Sequence, residues 1–222
     1  MKPDLPASPL RRRTLLTLAA VATLPALSAC APLVVGGAAA TATVMAIDRR
    51  TSGAYVEDEG IEWRTRNRIR ERFDDQVNVS VTSFNRVVLL TGQVPNEQVR
   101  EEAGQIAMNV ENVSGLLNEL EIGAPTSLST RSNDALVTSN VRARFVEQRT
   151  VGQQHAKVVT ENGTVFLMGI VTRAEADGIT EVARTTAGVQ KVVRVFEYVS
   201  DEEAAQLDRT PREQRTETRN NS

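Results

Sequence analysis

The most reactive side chain in the sequence is its single cysteine, Cys30. It follows Leu27, Ser28 and Ala29, which end an apolar stretch from Thr14 to Leu27 that opens on Arg11, Arg12 and Arg13. A basic start, an apolar core of about fourteen residues and small residues at its end read as a secretory signal over residues 1–29, too short to span a bilayer. Small residues directly before a cysteine look like the lipobox that bacterial lipoprotein signal peptidase cuts. Cleavage there leaves Cys30 first, its thiol carrying diacylglycerol and its amine an acyl chain such as palmitate. Each buried methylene contributes about 0.8 kcal/mol, so two chains already anchor stably and three do so more firmly. Ala31, where an inner-membrane lipoprotein usually has Asp, points to the outer membrane and its periplasmic face. Arg12 to Leu16 also resembles a weak twin-arginine signal, so the general and twin-arginine export routes both stay open.

Little else in the chain could do chemistry. His155 is the only histidine and reads as a surface residue at a strand start. Asp134 and Asp177 sit at expected helix starts. No Ser-His-Asp set, glycine-rich phosphate loop or metal-ligand spacing is present, so neither an enzyme nor a non-covalent cofactor is expected. A lone cysteine rules out internal disulfides. Setting aside residues 1–29 leaves 22 basic and 27 acidic residues, a net charge of −5, which speaks against nucleic-acid binding.

The elements around these residues repeat. Val87 to Val94 matches Thr164 to Val171 at a shift of 77, with Asn85 and Asn162 in register before them. Ile69 to Phe73 matches Val141 to Phe145 at a shift of 72, and Val113, Leu116, Leu120 and Ile122 match Val189, Val192, Phe196 and Tyr198 at 76. Each copy reads as helix, strand, strand, helix, strand. Val137, Val141 and Phe145 form one helical stripe. Asn162-Gly163 predicts a tight hairpin, because both residues tolerate positive φ. Gly92 and Gly169, inside strand patterns, predict a bulge or the close approach of a helix. Thr172-x-x-Glu175 is a capping-box signature. The expected division is a lipidated tether over 30–60, one module over 61–125, a linker over 126–132, a second module over 133–200, and a charged disordered tail over 201–222.

The two copies, with Val88 to Val94 and Val165 to Val171 as carriers, resemble BON domains. Together with the lipobox, the Val34 to Ala40 segment and Asp48-Arg49-Arg50-Thr51, they are similar to the dual BON-domain outer-membrane lipoproteins of the DolP (YraP) family. The resemblance implies an α+β fold of two αββαβ sandwiches, each a small three-stranded mixed sheet on two helices. It implies a lipoprotein that supports envelope integrity, with enrichment at division sites. It also implies binding of anionic phospholipid, such as phosphatidylglycerol or cardiolipin, through the first helix of the second domain. The alternative is a periplasmic adaptor that docks outer-membrane assembly or peptidoglycan-remodelling proteins. A monomer is expected.

The implied lipid site maps onto residues 134–148, with Leu136, Val137, Asn140, Val141, Arg142 and Arg144 as its residues. An apolar wedge at Leu136 beside cations suits an anionic headgroup layer, each cation contributing about 1 kcal/mol. A competing reading has Leu136 covered by the other domain, the pair acting as a spacer. Arg64, Arg68 and Arg72 on the first helix form a second cationic stripe, read as a solvated face or domain contact. Trp63 beside it is expected to pack and close the helix start.

Overall fold

A computed structural model describes residues 48–150 and 152–209. The signal segment, the expected tether from Cys30 to residue 47 and the tail from residue 210 lie outside them. The first module consists of α1 (Ser52–Phe73), β1 (Asn78–Phe84), β2 (Val87–Val94), α2 (Glu97–Met108) and β3 (Gly115–Ile122). The second repeats the order with α3 (Leu128–Glu147), β4 (Ala156–Glu161), β5 (Thr164–Val171), α4 (Arg173–Arg184) and β6 (Lys191–Tyr198). In each sheet the middle strand pairs antiparallel with the strand before it and parallel with the last, giving the expected αββαβ folds.

Local signals explain the element boundaries. Thr51, Asn96 and Ser127 cap α1, α2 and α3 by accepting from the N–H three residues on. At α4 the full capping box forms between Thr172 and Glu175. Asn162 and Gly163 take φ of 48° and 74°, and Asn85 and Arg86 take 49° and 68°, so both hairpins turn through two left-handed residues. Gly92 and Gly169 mark a close approach, but of a strand and not of a helix. A Cβ would stand 2.0 Å from the Asn78 carbonyl oxygen at Gly92 and 2.5 Å from that of His155 at Gly169.

A buried carboxylate ties each first helix to its hairpin. Asp58 accepts from the N–H groups of Asn85 and Arg86, both at 2.8 Å, and Asp134 from those of Asn162 and Gly163, both at 2.9 Å. These two aspartates are 76 residues apart, which sets the true equivalence of the helices. Ile61, Thr65 and Ile69 match Val137, Val141 and Phe145, so the shift of 72 suggested by the sequence pattern is one helical turn out. Asp134 therefore lies in the second turn of α3, not at a helix start, and Asp177 sits inside α4 on the surface, paired with Arg194 at 3.0 Å.

The stripe of Ile61, Ile69 and Phe73 packs with Ala103 and Ala107 on the Val88 and Leu90 face of the first sheet. In the second module Val137, Val141 and Phe145 pack with Ala176, Ile179 and Ala183 on Val165 and Leu167. The alternate residues of the middle strands point the other way, and there the two sheets meet. Phe84 and Leu89 of the first sheet pack against Phe166, Met168 and Ile170 of the second. Both faces of β2 and β5 are thus covered, which is why their sequences are mostly apolar, with Thr91 and Gln93 as buried polar residues of β2. Burying each such side chain contributes roughly 1.5–3 kcal/mol. The result is four layers, helices, sheet, sheet, helices, with the helix pairs on opposite outer faces. Asn85 donates to Glu197 at 2.6 Å and Asn162 donates to Glu121 at 3.3 Å. These pairs are repeat equivalents, so a pseudo-twofold relates the modules.

Three segments depart from the expected division. Residues 48–60 are not tether: Arg49 is buried and α1 starts at Ser52. The expected linker contains the start of α3. Residues 201–209 are helical, with Ala204 buried and Leu207 packed against the intersheet core, so this part of the tail is ordered by contacts that its charge-rich composition hides.

Candidate functional site

Helix α3 presents two faces. Asp134, Val137, Val141 and Phe145 line the inner one and are buried. On the outer one, Leu128, Leu136 and Val146 are 79%, 63% and 69% exposed. At 100° per residue Leu128 and Val146 fall on one line, with Leu136 about 80° to the side. Ala135, Ser139 and Ala143, also exposed, fill the space between them. Arg131 and Arg142 stand among them, and Arg149 is exposed just past the helix end. Glu147 is the only exposed carboxylate of the helix. Apolar groups that would bury on contact are therefore mixed with cations, on a helix whose opposite side is locked into the core.

This places the residues expected to meet lipid. Leu136 and Asn140 are exposed, so the first module does not cover Leu136 and the sheets make the domain contact instead. Val137 and Val141 are 2% and 0% exposed, which corrects the expectation of a lipid contact there: they face the sheet and hold the helix. Arg142 keeps most of its guanidinium outward, giving one bond to the Val158 carbonyl at 3.2 Å. Arg144 is half-buried and turns toward α4, its Nη1 donating to the Val182 carbonyl and to the hydroxyls of Thr185 and Thr186 at the C-terminal end of that helix. Leu128, Arg131 and Val146 join the face without having been expected there. The start of α3 at Leu128 is hidden in an expected linker, though Ser127-x-x-Thr130 is a capping signal that could have revealed it.

A second polar cluster is invisible to sequence. The guanidinium of Arg49 spends three N–H groups on the second module, on Glu175 at 2.7 and 3.0 Å and on the Ile170 carbonyl at 3.0 Å, and two on Asp208 in the helical segment after it, at 2.9 and 3.0 Å. Burial alone would raise the Glu175 carboxyl, but bonds from Arg49 and the Thr172 N–H outweigh it and hold the group below its ordinary value. His155 is not on the surface. It is 5% exposed, its Nε2 3.5 Å from Asp208, and burial, then the charge of Arg49, push its pKa down. Arg50 turns to the first module, where it meets Asp58 at 2.7 Å and lies 4.1 Å over the Phe84 ring. A cleft of about 790 Å³ opens beside Arg49 between α4, the Gln148 to Thr150 turn and residues 201–208. Three of its charged groups, Arg49, Glu175 and Asp208, are engaged with one another, and Glu181 pairs with Arg184.

On α1, Arg64 pairs with Glu57, Arg68 donates to the Asn109 carbonyl and Arg72 pairs with Glu102. That stripe is a set of intramolecular contacts. Trp63 does not pack: it is 63% exposed. Among the described residues no cluster of His, Cys, Asp and Glu is placed to hold a metal, and no helix is long and apolar enough to cross a membrane.

The sequence matches the BON domain model twice, over residues 58–124 and 133–200. It is 36% identical over 196 residues to the outer membrane lipoprotein DolP of Haemophilus influenzae, covering 86% of this chain and 98% of that protein. It is 34% identical over 155 residues to a 21 kDa hemolysin of Actinobacillus pleuropneumoniae, covering 69% and 80%. With the osmotically-inducible protein Y of Escherichia coli it shares 27% identity over 144 residues, covering 63% and 72%. The duplicated fold, the paired hairpin clasps and these matches agree: the chain belongs to the BON-domain proteins, as a dual-domain member of the family of the outer membrane lipoprotein DolP.

Proposed function

We propose that the protein is an outer-membrane lipoprotein, acylated at Cys30, whose second BON domain binds anionic phospholipid on the periplasmic face and supports envelope integrity, including at division sites. The outer face of α3 carries this reading. Three exposed aliphatic side chains share it with Arg131 and Arg142, against a single carboxylate, and Arg149 adds a cation at its end. Inserting the aliphatics into the headgroup layer buries apolar area, while the guanidiniums meet phosphate oxygens. Arginine suits this role because its planar donors match phosphate geometry. The acyl chains make binding local: once anchored, the domain needs only weak affinity to stay on the surface.

Two measurements test the reading. In cells, Cys30→Ser is expected to abolish incorporation of labelled palmitate and to release the protein from the outer-membrane fraction; unchanged fractionation would refute the anchor. In vitro, the mature chain kept unacylated by Cys30→Ser is expected to float with vesicles containing phosphatidylglycerol and not with phosphatidylcholine alone. Leu136→Glu places a charge where about 1.5–3 kcal/mol of burial is gained, so vesicle affinity should fall at least about tenfold. Equal flotation with neutral vesicles, or full affinity in Leu136→Glu, would remove α3 as the lipid face.

A further inference from the structure

Trp63 is the only tryptophan of the chain and stands unpacked at the middle of the outer face of α1. Val56, Glu59, Trp63, Arg66 and Arg70 recur at helical spacing on that face, and all are exposed. The side chains of Glu59 and Arg70 make no hydrogen bond or ion pair with the described residues. Arg66 reaches only Glu62, at 3.8 Å, and Glu62 is already engaged by Lys157 and the Ser83 N–H. A large aromatic beside one arginine without a partner among the described residues and another held only loosely has the composition of an interface hot spot.

The fold and the charges narrow the occupant. The four-layer arrangement puts α1 on the outer layer opposite α3, so a bilayer held by α3 does not reach Trp63. The charges are also laid out differently. On α3 the arginines lie among the aliphatics and the carboxylate closes the last turn. On α1 the face is divided in sign about its centre, with its carboxylate N-terminal to Trp63 and its guanidiniums C-terminal. A twofold axis through Trp63, perpendicular to the helix, reverses that order in the facing copy. Glu59 lies about 6 Å before Trp63 along the helix and Arg66 about 4.5 Å after it, on the same flank. The axis therefore brings Glu59 of each copy beside Arg66 of the other, with the two indoles at the centre. Such a contact is isologous, one patch meeting itself.

We propose that the outer face of α1 is a self-association surface, through which two copies pair by antiparallel α1 helices around Trp63 and two Glu59–Arg66 ion pairs. One helix per copy makes a small interface, so the dimer is weak in solution, in the micromolar range or above, and is favoured where copies are concentrated on a surface. The exclusion of a bilayer from this face rests on the proposed lipid binding by α3; the charge match between two copies does not.

The test uses the unacylated mature chain. Sedimentation velocity between about 1 and 300 µM is expected to show a monomer–dimer equilibrium, and the emission of Trp63 should shift to the blue as the dimer forms. Glu59→Arg and Arg66→Glu should each weaken the dimer at least about tenfold by placing like charges together. The double variant restores opposite charges and should return the affinity to within about threefold of the original. Circular dichroism of each variant separates loss of pairing from loss of fold. A monomer throughout this range, a dimer indifferent to the single charge reversals, or no recovery in the double variant would overturn the proposal. So would a blue shift of Trp63 driven at about 1 µM by phosphatidylglycerol vesicles, which would make this face a lipid surface.

Discussion

Arg49→Ala is expected to destabilise the folded part of the protein by about 3–5 kcal/mol, the range for breaking a buried ion pair. The substitution leaves the Glu175 carboxylate, 8% exposed, without its cation, strips the Ile170 carbonyl of a donor and removes two bonds to Asp208, in the helical segment 201–209. At a denaturant slope of about 2 kcal/mol per M, the urea midpoint should fall by about 2 M. A midpoint within a few tenths of a molar of the original would show that Arg49 does not hold the second domain. The same titration carries a pH signature through His155. Its folded pKa is depressed by burial and by Arg49, so the unfolded chain binds more protons as pH falls through the ordinary histidine range. Stability should therefore drop between pH 7 and pH 5, and less steeply in Arg49→Ala, where the cation that helps to depress His155 is gone.

Asp58→Ala should cost about as much, and more than Asp134→Ala. Both carboxylates are buried and each receives two hairpin N–H groups. Asp58 also accepts from the Ser83 hydroxyl and from Arg50, both at 2.7 Å. Removing it orphans two amides and leaves a guanidinium, buried at the seam between the domains, with Asp48 alone as counter-charge. Removing Asp134 orphans two amides only. With about 2–4 °C per kcal/mol for a chain of this size, Asp58→Ala should lower the melting temperature by about 10 °C and Asp134→Ala by roughly half of that. Equal shifts would mean that Arg50 contributes nothing at this site. Amide exchange at Asn85 and Arg86 in one variant, and at Asn162 and Gly163 in the other, localises each loss.

The contrast between these aspartates shows what is legible in the chain. The strand-turn-strand units announce themselves by composition: apolar runs, Asn-Gly at a turn, Thr-x-x-Glu at a helix start. All of these are local, and the structure follows them closely. The helix register is not local. The alignment of Ile69 with Val141 is as good by pattern as the correct one of Ile69 with Phe145, because a helical stripe repeats every turn and one turn of slippage preserves it. Only the carboxylate reaching a hairpin about thirty residues downstream fixes the choice. The same reason hides Arg49. An arginine in a turn-rich, charged stretch reads as tether, and its partners Glu175 and Asp208 lie far off in sequence. His155 reads as exposed because the groups around it, Arg49, Glu175 and Asp208, lie far off in sequence. On α3 the location and Leu136 follow from the resemblance. The division into a face that holds and a face that meets solvent needs the core, which moves Val137, Val141 and Arg144 inward and brings Leu128 and Val146 out.

Arg49 lies between the segment leading from Cys30 and the first BON domain, yet three of its five donors are bound to the second domain and two to Asp208 just after it. In the anchored protein proposed above, a tug from the bilayer would meet the Arg49–Glu175–Asp208 knot before it reaches α1. The second domain would then share the load although it comes later in the chain. Drag on the envelope would open the knot and loosen residues 201–209 first, while the sheet-to-sheet seam keeps both modules together.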